Sequence, residues 1–237
     1  MTQRQSQKLA GIIFVVIPIL INVPYGMLIA NFQYPDILRQ PAGEILTKFH
    51  EGGSHLILTW WIFGFVGIPL IYSVISLHSL LRREDAPYLF TGTTCGVISL
   101  IAQFIGLLRW TFVVPSLADV YVSPASSQAS KDAAIIGFQV VHQYGGVIIG
   151  EHIGQLFTVV WMFLVSAAMI KSTAFRPWLG WFGIISGVIY LLAQLELFAT
   201  VIPGVPVISI AGLLGSLLWL IWLVLIGITM LRRRAGI

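Results

Sequence analysis

The sequence predicts an all-α, polytopic membrane protein, with six transmembrane helices in one bundle and both termini cytoplasmic. Three observations carry that expectation. Hydrophobic residues make up 57% of the 237 residues and charged residues only 9%, against roughly 45–50% and about 25% in soluble domains. So few polar side chains cannot cover a water-exposed surface, and lipid is the solvent that fits. Apolar runs recur at the roughly 20 residues needed to cross a hydrocarbon core of about 30 Å. Finally, nine of the 13 basic residues fall on one side of those runs, as the positive-inside bias requires.

Six spans follow in order: 9–31, 55–81, 88–112, 136–170, 177–200 and 206–231. Each must be helical, because lipid offers no partner to a free backbone N–H or C=O. The first follows Arg4 and Lys8 like a signal peptide, but its apolar run exceeds the 7–15 residues of such a region, so it reads as a retained helix. Pro18, Pro24 and Pro69 lie inside the first two spans and predict kinks or local openings. The fourth is too long for one crossing, so its first part should tilt or project outward.

Arg4 and Lys8 precede the first span, Arg82 and Arg83 separate the second and third, Lys171 and Arg176 the fourth and fifth, and Arg232, Arg233 and Arg234 follow the sixth. The opposite side holds Arg39, Lys48 and Lys131, with Arg109 at a helix end. That asymmetry orients both termini toward the cytoplasm and makes the cytoplasmic (inner) membrane of a bacterial cell the expected location. The net charge of +4 is therefore topological, and nucleic acid is not an expected partner.

Two outer connections, 32–54 and 113–135, are long. Pro41 to His50 predicts a short interfacial helix with Ile45, Leu46 and Phe49 on its apolar side, and Ser123-Pro124-Ala125-Ser126-Ser127 is a loop signal. No composition break splits the chain, which reads as one domain over 1–237. Trp178 and Trp181 suit an inner aromatic belt; Trp60, Trp61, Trp110 and Tyr144 suit an outer one; Trp161, Trp219 and Trp222 read as core. Cys95, the one cysteine, permits no intrachain disulfide and reads as a small buried hydrophobe.

Ionisable residues inside a membrane are costly and call for a partner or a purpose. Depth counting gathers Arg109, His142, Glu151, His152, Gln155, Glu196 and His55 into one polar layer in the outer half of the bundle. Gln103, Gln143 and Gln194 fall near the same depth, with His50 and Glu51 just before His55. Glu151, His152, Glu196 and His55 have ligand types suited to a divalent metal, and two His from different helices suit a b-type haem. Arg109 suits either a neutralising pair with Glu151 or Glu196, or an anionic substrate. The competing reading is an Arg109–Glu network that only locks the helices. No HExxH, Glu-x-x-His or P-loop motif is present, and no mid-membrane Lys is available for a retinal Schiff base. Gly146, Gly150 and Gly154, spaced by four, allow close approach of a helix from this chain, from a second copy or from a partner subunit.

Arg109-Trp110 to Pro115 (RWTFVVP), His142-Gln143-Tyr144-Gly145-Gly146 (HQYGG), Gly150 to Gln155 (GEHIGQ) and Pro177 to Trp181 (PWLGW) resemble segments of the domain-of-unknown-function 4386 family of bacterial membrane proteins. The resemblance spans most of the chain. It implies a polytopic membrane protein and brings no reaction, substrate or cofactor. Three readings follow: a ligand, metal or haem pocket open to the outer side, catalytic or not; a structural or accessory subunit; or a small transporter, for which Pro18 and Pro24 supply one helix break without a counterpart in the other half.

Overall fold

The computed structural model describes residues 2–82 and 86–233. Arg83 and Arg234, counted above among the cytoplasmic cations, lie outside the described residues. Every regular element among the described residues is helical, and six stretches are long and apolar enough to cross a bilayer: Gln3–Phe32, Ala42–Leu81, Tyr88–Val122, Gln128–Lys171, Pro177–Ala199 and Ser209–Arg232. The chain is a multi-pass membrane protein.

The elements are α1 (Gln3–Phe32), a 3-10 turn at Asp36–Arg39, α2 (Ala42–Phe65), α3 (Leu70–Leu81), α4 (Tyr88–Phe112), α5 (Val114–Val122), α6 (Gln128–Val141), a π-helical segment His142–Ile153, α7 (Gly154–Lys171), α8 (Pro177–Leu192), α9 (Gln194–Ala199) and α10 (Ser209–Arg232). Several differ from expectation for identifiable reasons. α1 starts six residues early, because Gln, Arg and Lys extend a helix readily, and it runs unbroken through Pro18 and Pro24. The interfacial helix begins at Ala42 and is joined to the second span at Gly53, whose φ of 52° and ψ of −152° turn the axis; only glycine takes that conformation without penalty. A turn at 66–69, containing Gly67 and Pro69, then separates α2 from α3. The expected outer loop 113–135 is mostly helical. Pro115 sits in the first turn of α5, where its missing N–H costs nothing, and Ser127 caps α6 by accepting from the Ser130 amide. Only 123–127, the SPASS stretch, is left as loop.

The chain forms two compact units. The first comprises Met1–Ile19, Gly67–Ala102 and His152–Ile237. Its helices approach closely at small residues. A Cβ on Gly227 would lie 2.6 Å from the Gly11 carbonyl oxygen, and one on Gly215 would lie 2.6 Å from the Tyr190 Cα. At Gly183 a Cβ would collide with Ser166 Oγ and the Trp222 ring. Trp222 is fully buried, donates through Nε1 to the Leu179 carbonyl at 2.9 Å and packs edge-on against Trp161. Polar side chains bridge neighbours: Ser73 Oγ donates to the Ala10 carbonyl, Ser6 Oγ bonds Tyr72 OH, and His78 bonds Thr93.

The second unit comprises Leu20–Val66 and Gln103–Glu151. Its core is aromatic: Phe32, Phe49, Trp60, Trp110 and Phe138 are all buried. Trp60 and Trp110 stack with centroids 4.8 Å apart and planes 11° apart, and Phe49 stacks on Trp110 at 5.6 Å. Trp60 and Trp110 are thus core residues, not belt residues; each stands on the bundle-facing side of its helix. Trp61, Tyr144, Trp178 and Trp181 are exposed, as belt residues must be.

Candidate functional site

The second unit carries a cleft of about 630 Å³ lined by Gln33, Asp36, Ile37, Gln40, Gly43, Glu44, Thr47, Lys48, Glu51 and Tyr121. Helical periodicity builds one wall. Glu44, Thr47, Lys48 and Glu51 recur at i, i+3, i+4 and i+7 along α2, while Ile45, Leu46 and Phe49 turn the other way and are at most 3% exposed. The same helix therefore grips the aromatic core with one face and presents carboxylates, a hydroxyl and an ammonium with the other. Thr47 Oγ1 donates back to the Gly43 carbonyl at 2.8 Å. Gly43 is required by the opposite wall, because a Cβ there would overlap the Tyr121 hydroxyl. His50 Nδ1 donates to Asp119 Oδ1 at 2.9 Å, tying α2 to α5.

The rim opposite α2 is the chain leaving α1. Gln33 holds a φ of 57°, the sole non-glycine positive φ among the described residues, in a region that costs an ordinary residue roughly 1–2 kcal/mol. The 3-10 turn follows, with Arg39 donating to Asp36 at 2.9 Å across an exposed pair. The cleft lining holds three carboxylates and one ammonium; with Asp36 paired to Arg39, Glu44 and Glu51 stand against Lys48, a net excess of one negative charge.

A second constellation in this unit centres on Arg109, 8% exposed. Its NH1 donates to the Gly106 carbonyl one turn back, its guanidinium carbon lies 5.2 Å from the Trp110 ring centroid, and Glu151 and Tyr34 are within electrostatic reach. Opposite it runs the π-helical segment. Gly146 leaves the guanidinium its space, since a Cβ there would lie 2.6 Å from Arg109 NH2. Gly106 allows backbone contact, since its Cβ would lie 2.5 Å from the Gly150 Cα. His142 stacks on Phe138 at 5.5 Å and meets Trp110 edge-on. Arg109 Nε, Trp60 Nε1, Trp110 Nε1 and His142 Nδ1 are buried without a hydrogen-bond partner.

The seven expected site residues are divided between the units. Arg109, His142 and Glu151 gather in the second. His55 belongs to the same unit but is exposed, with its carbonyl accepting from Thr59. In the first unit His152 and Gln155 meet through Gln194: Gln194 Oε1 accepts from His152 Nδ1 at 2.6 Å, and its Nε2 donates to Gln155 Oε1 at 2.9 Å. Phe198 packs edge-on to the His152 ring. Glu196 is half-buried on α9. Among the described residues no three His, Cys, Asp or Glu side chains are grouped so as to hold a metal ion. The glycine face expected to admit another helix is covered at Gly146 and Gly150 by α4 of the same chain.

The cleft lining was not among the expected site residues. Its signal was the polar stripe opposite Ile45, Leu46 and Phe49; the partner surfaces, Gln33 and Tyr121, come from segments distant in sequence. Against known proteins, the family described as a domain of unknown function, DUF4386, matches residues 9–227. No curated protein and no solved structure matches.

Proposed function

The chain belongs to the DUF4386 family, and on that premise we propose that it is a small-molecule-binding protein of the bacterial cytoplasmic membrane, with both termini inside and the 33–51/Tyr121 cleft open to the outer side. The observation that carries this reading is the cleft. Its volume of about 630 Å³ lies in the range of ligand sites, roughly 300–1,000 Å³. It is backed by an aromatic core, so its walls are set before any ligand arrives. Strained backbone at Gln33 supports the reading, because such residues cluster where a site needs an otherwise unfavourable geometry. The excess of carboxylates selects a ligand bearing an amine, with Gln33, Gln40, Thr47 and Tyr121 offering hydrogen bonds to neighbouring polar groups. The orientation rests on the asymmetry of Lys and Arg, which leaves few cations on the cleft side.

Titration of the purified chain in lipid nanodiscs tests this, with putrescine and choline as amine probes, glucose as a neutral probe and citrate as an anionic one. Saturable binding of an amine, weakened at least fivefold in Glu44→Gln/Glu51→Gln, is expected. No saturable binding of either amine, or equal affinity in the double variant, sinks the proposal.

A structural role for the buried polar residues is a second, compatible reading. The His152–Gln194–Gln155 chain supports it, since those side chains satisfy one another.

A further inference from the structure

We infer that His142–Ile153 is a two-state element, π-helical while the Arg109 guanidinium sits over Gly146 and α-helical once it withdraws. Sustained π-helix is rare; the form normally persists for a single turn. Here it covers 12 residues, so something outside the segment must hold it. Three of those residues are glycines, at 145, 146 and 150, which bring little intrinsic preference for any helix. What touches them is specific. The guanidinium occupies the volume a Cβ on Gly146 would take, the Arg109 Cδ lies 3.7 Å from the place of a Cβ on Gly145, and Gly106 meets Gly150 backbone to backbone. Arg109 is itself aimed by its bond to the Gly106 carbonyl. Glu151, at the far end of the segment, is within electrostatic reach of the same guanidinium. One side chain thus contacts the middle of the segment and attracts its end.

An i→i+5 ladder holds more residues per turn than an i→i+4 ladder and advances less per residue along the axis. Passing to the α form therefore lengthens the segment and turns its side chains onto new faces. His142 has the stacked Phe138 ring on one side and an unpartnered Nδ1, so it is among the first groups such a rotation would re-pair.

The experiment is a distance measurement by pulsed electron paramagnetic resonance on the full chain in nanodiscs. Spin labels are placed at Ile136→Cys and Ile148→Cys, both exposed, in a Cys95→Ala background. A fully α-helical path between those positions spans roughly 18 Å along the axis. The wild type is expected to give a dominant shorter distance and a minor longer one. Arg109→Gln should shift the population to the longer distance, and Gly146→Ala should do so by pushing the guanidinium aside. A label pair at Trp181→Cys and Leu192→Cys within α8 should not move. A single wild-type distance unchanged by either variant overturns the inference. Where neither variant folds, the wild-type distribution decides alone: one population across the accessible temperature range is the overturning result.

Discussion

The two units solve the same problem, filling a helical interior in lipid, by opposite means. The first packs small against large: Gly183 beneath Trp222, Gly227 beside Val15 and Phe14, Gly215 against Tyr190. Ser6, Ser73 and His78 bond a neighbouring helix. The second packs large against large, with Trp60, Trp110, Phe32, Phe49 and Phe138 in one cluster, and places its glycines at a bend, Gly53, and beneath polar groups, Gly43 under the Tyr121 phenol and Gly146 under the Arg109 guanidinium. The first arrangement maximises contact between helices. The second leaves room, and the cleft, the strained Gln33 and the π-helical segment as far as Glu151 are all found there. Close packing and open volume compete for the same space, and the two units divide them.

The most severe way to break this contrast is Trp110→Ala. Removing a fully buried indole from the aromatic core should cost about 3–5 kcal/mol. Hydrogen exchange should then rise across α2, α5 and α6 while α8 and α10 keep their protection; equal loss in both units would show that they are not separate in stability. Next in size is Gly183→Ala, which forces a methyl into Ser166 and Trp222 and should destabilise by roughly 1–3 kcal/mol. It should lower the melting temperature and leave amine affinity in the cleft unchanged. Tyr121→Phe removes one hydroxyl from the cleft and should weaken amine binding by about 1 kcal/mol, near fivefold, with no change in melting temperature. Gln33→Gly relieves the left-handed strain and should leave stability the same or raise it by up to about 1 kcal/mol, while calorimetry shows weaker binding because a lining amide is gone.

Much of the architecture was legible. Composition and run length give six spans, and SPASS marks the one short break between α5 and α6. Ile45, Leu46 and Phe49 give the interfacial helix because their spacing is a direct consequence of the 3.6-residue turn. The bounds of α5 were missed because Pro115 reads as a helix stop when it stands in the first turn, where it is a start. The polar layer was legible only in part. Arg109 and Glu151 could be matched by depth, but depth gives no azimuth. Uniform α geometry sets Glu151 and Gln155, four residues apart, on one helix face, and the π-helical segment that ends between them voids that arithmetic. The Gln194 bridge and the cleft depend on contacts between residues dozens of positions apart, for which periodicity carries no information.

The Trp60–Trp110 stack has an optical consequence. Two indoles with centroids 4.8 Å apart and planes 11° apart share their electronic excitation, so the pair should contribute to the ultraviolet circular dichroism of the folded second unit. Trp60→Phe should remove that contribution while leaving the signal of Trp161 and Trp222, whose rings cross at 68° in the first unit. Light would then report on one half of the chain without a label, including whether an amine entering the cleft disturbs the floor beneath it.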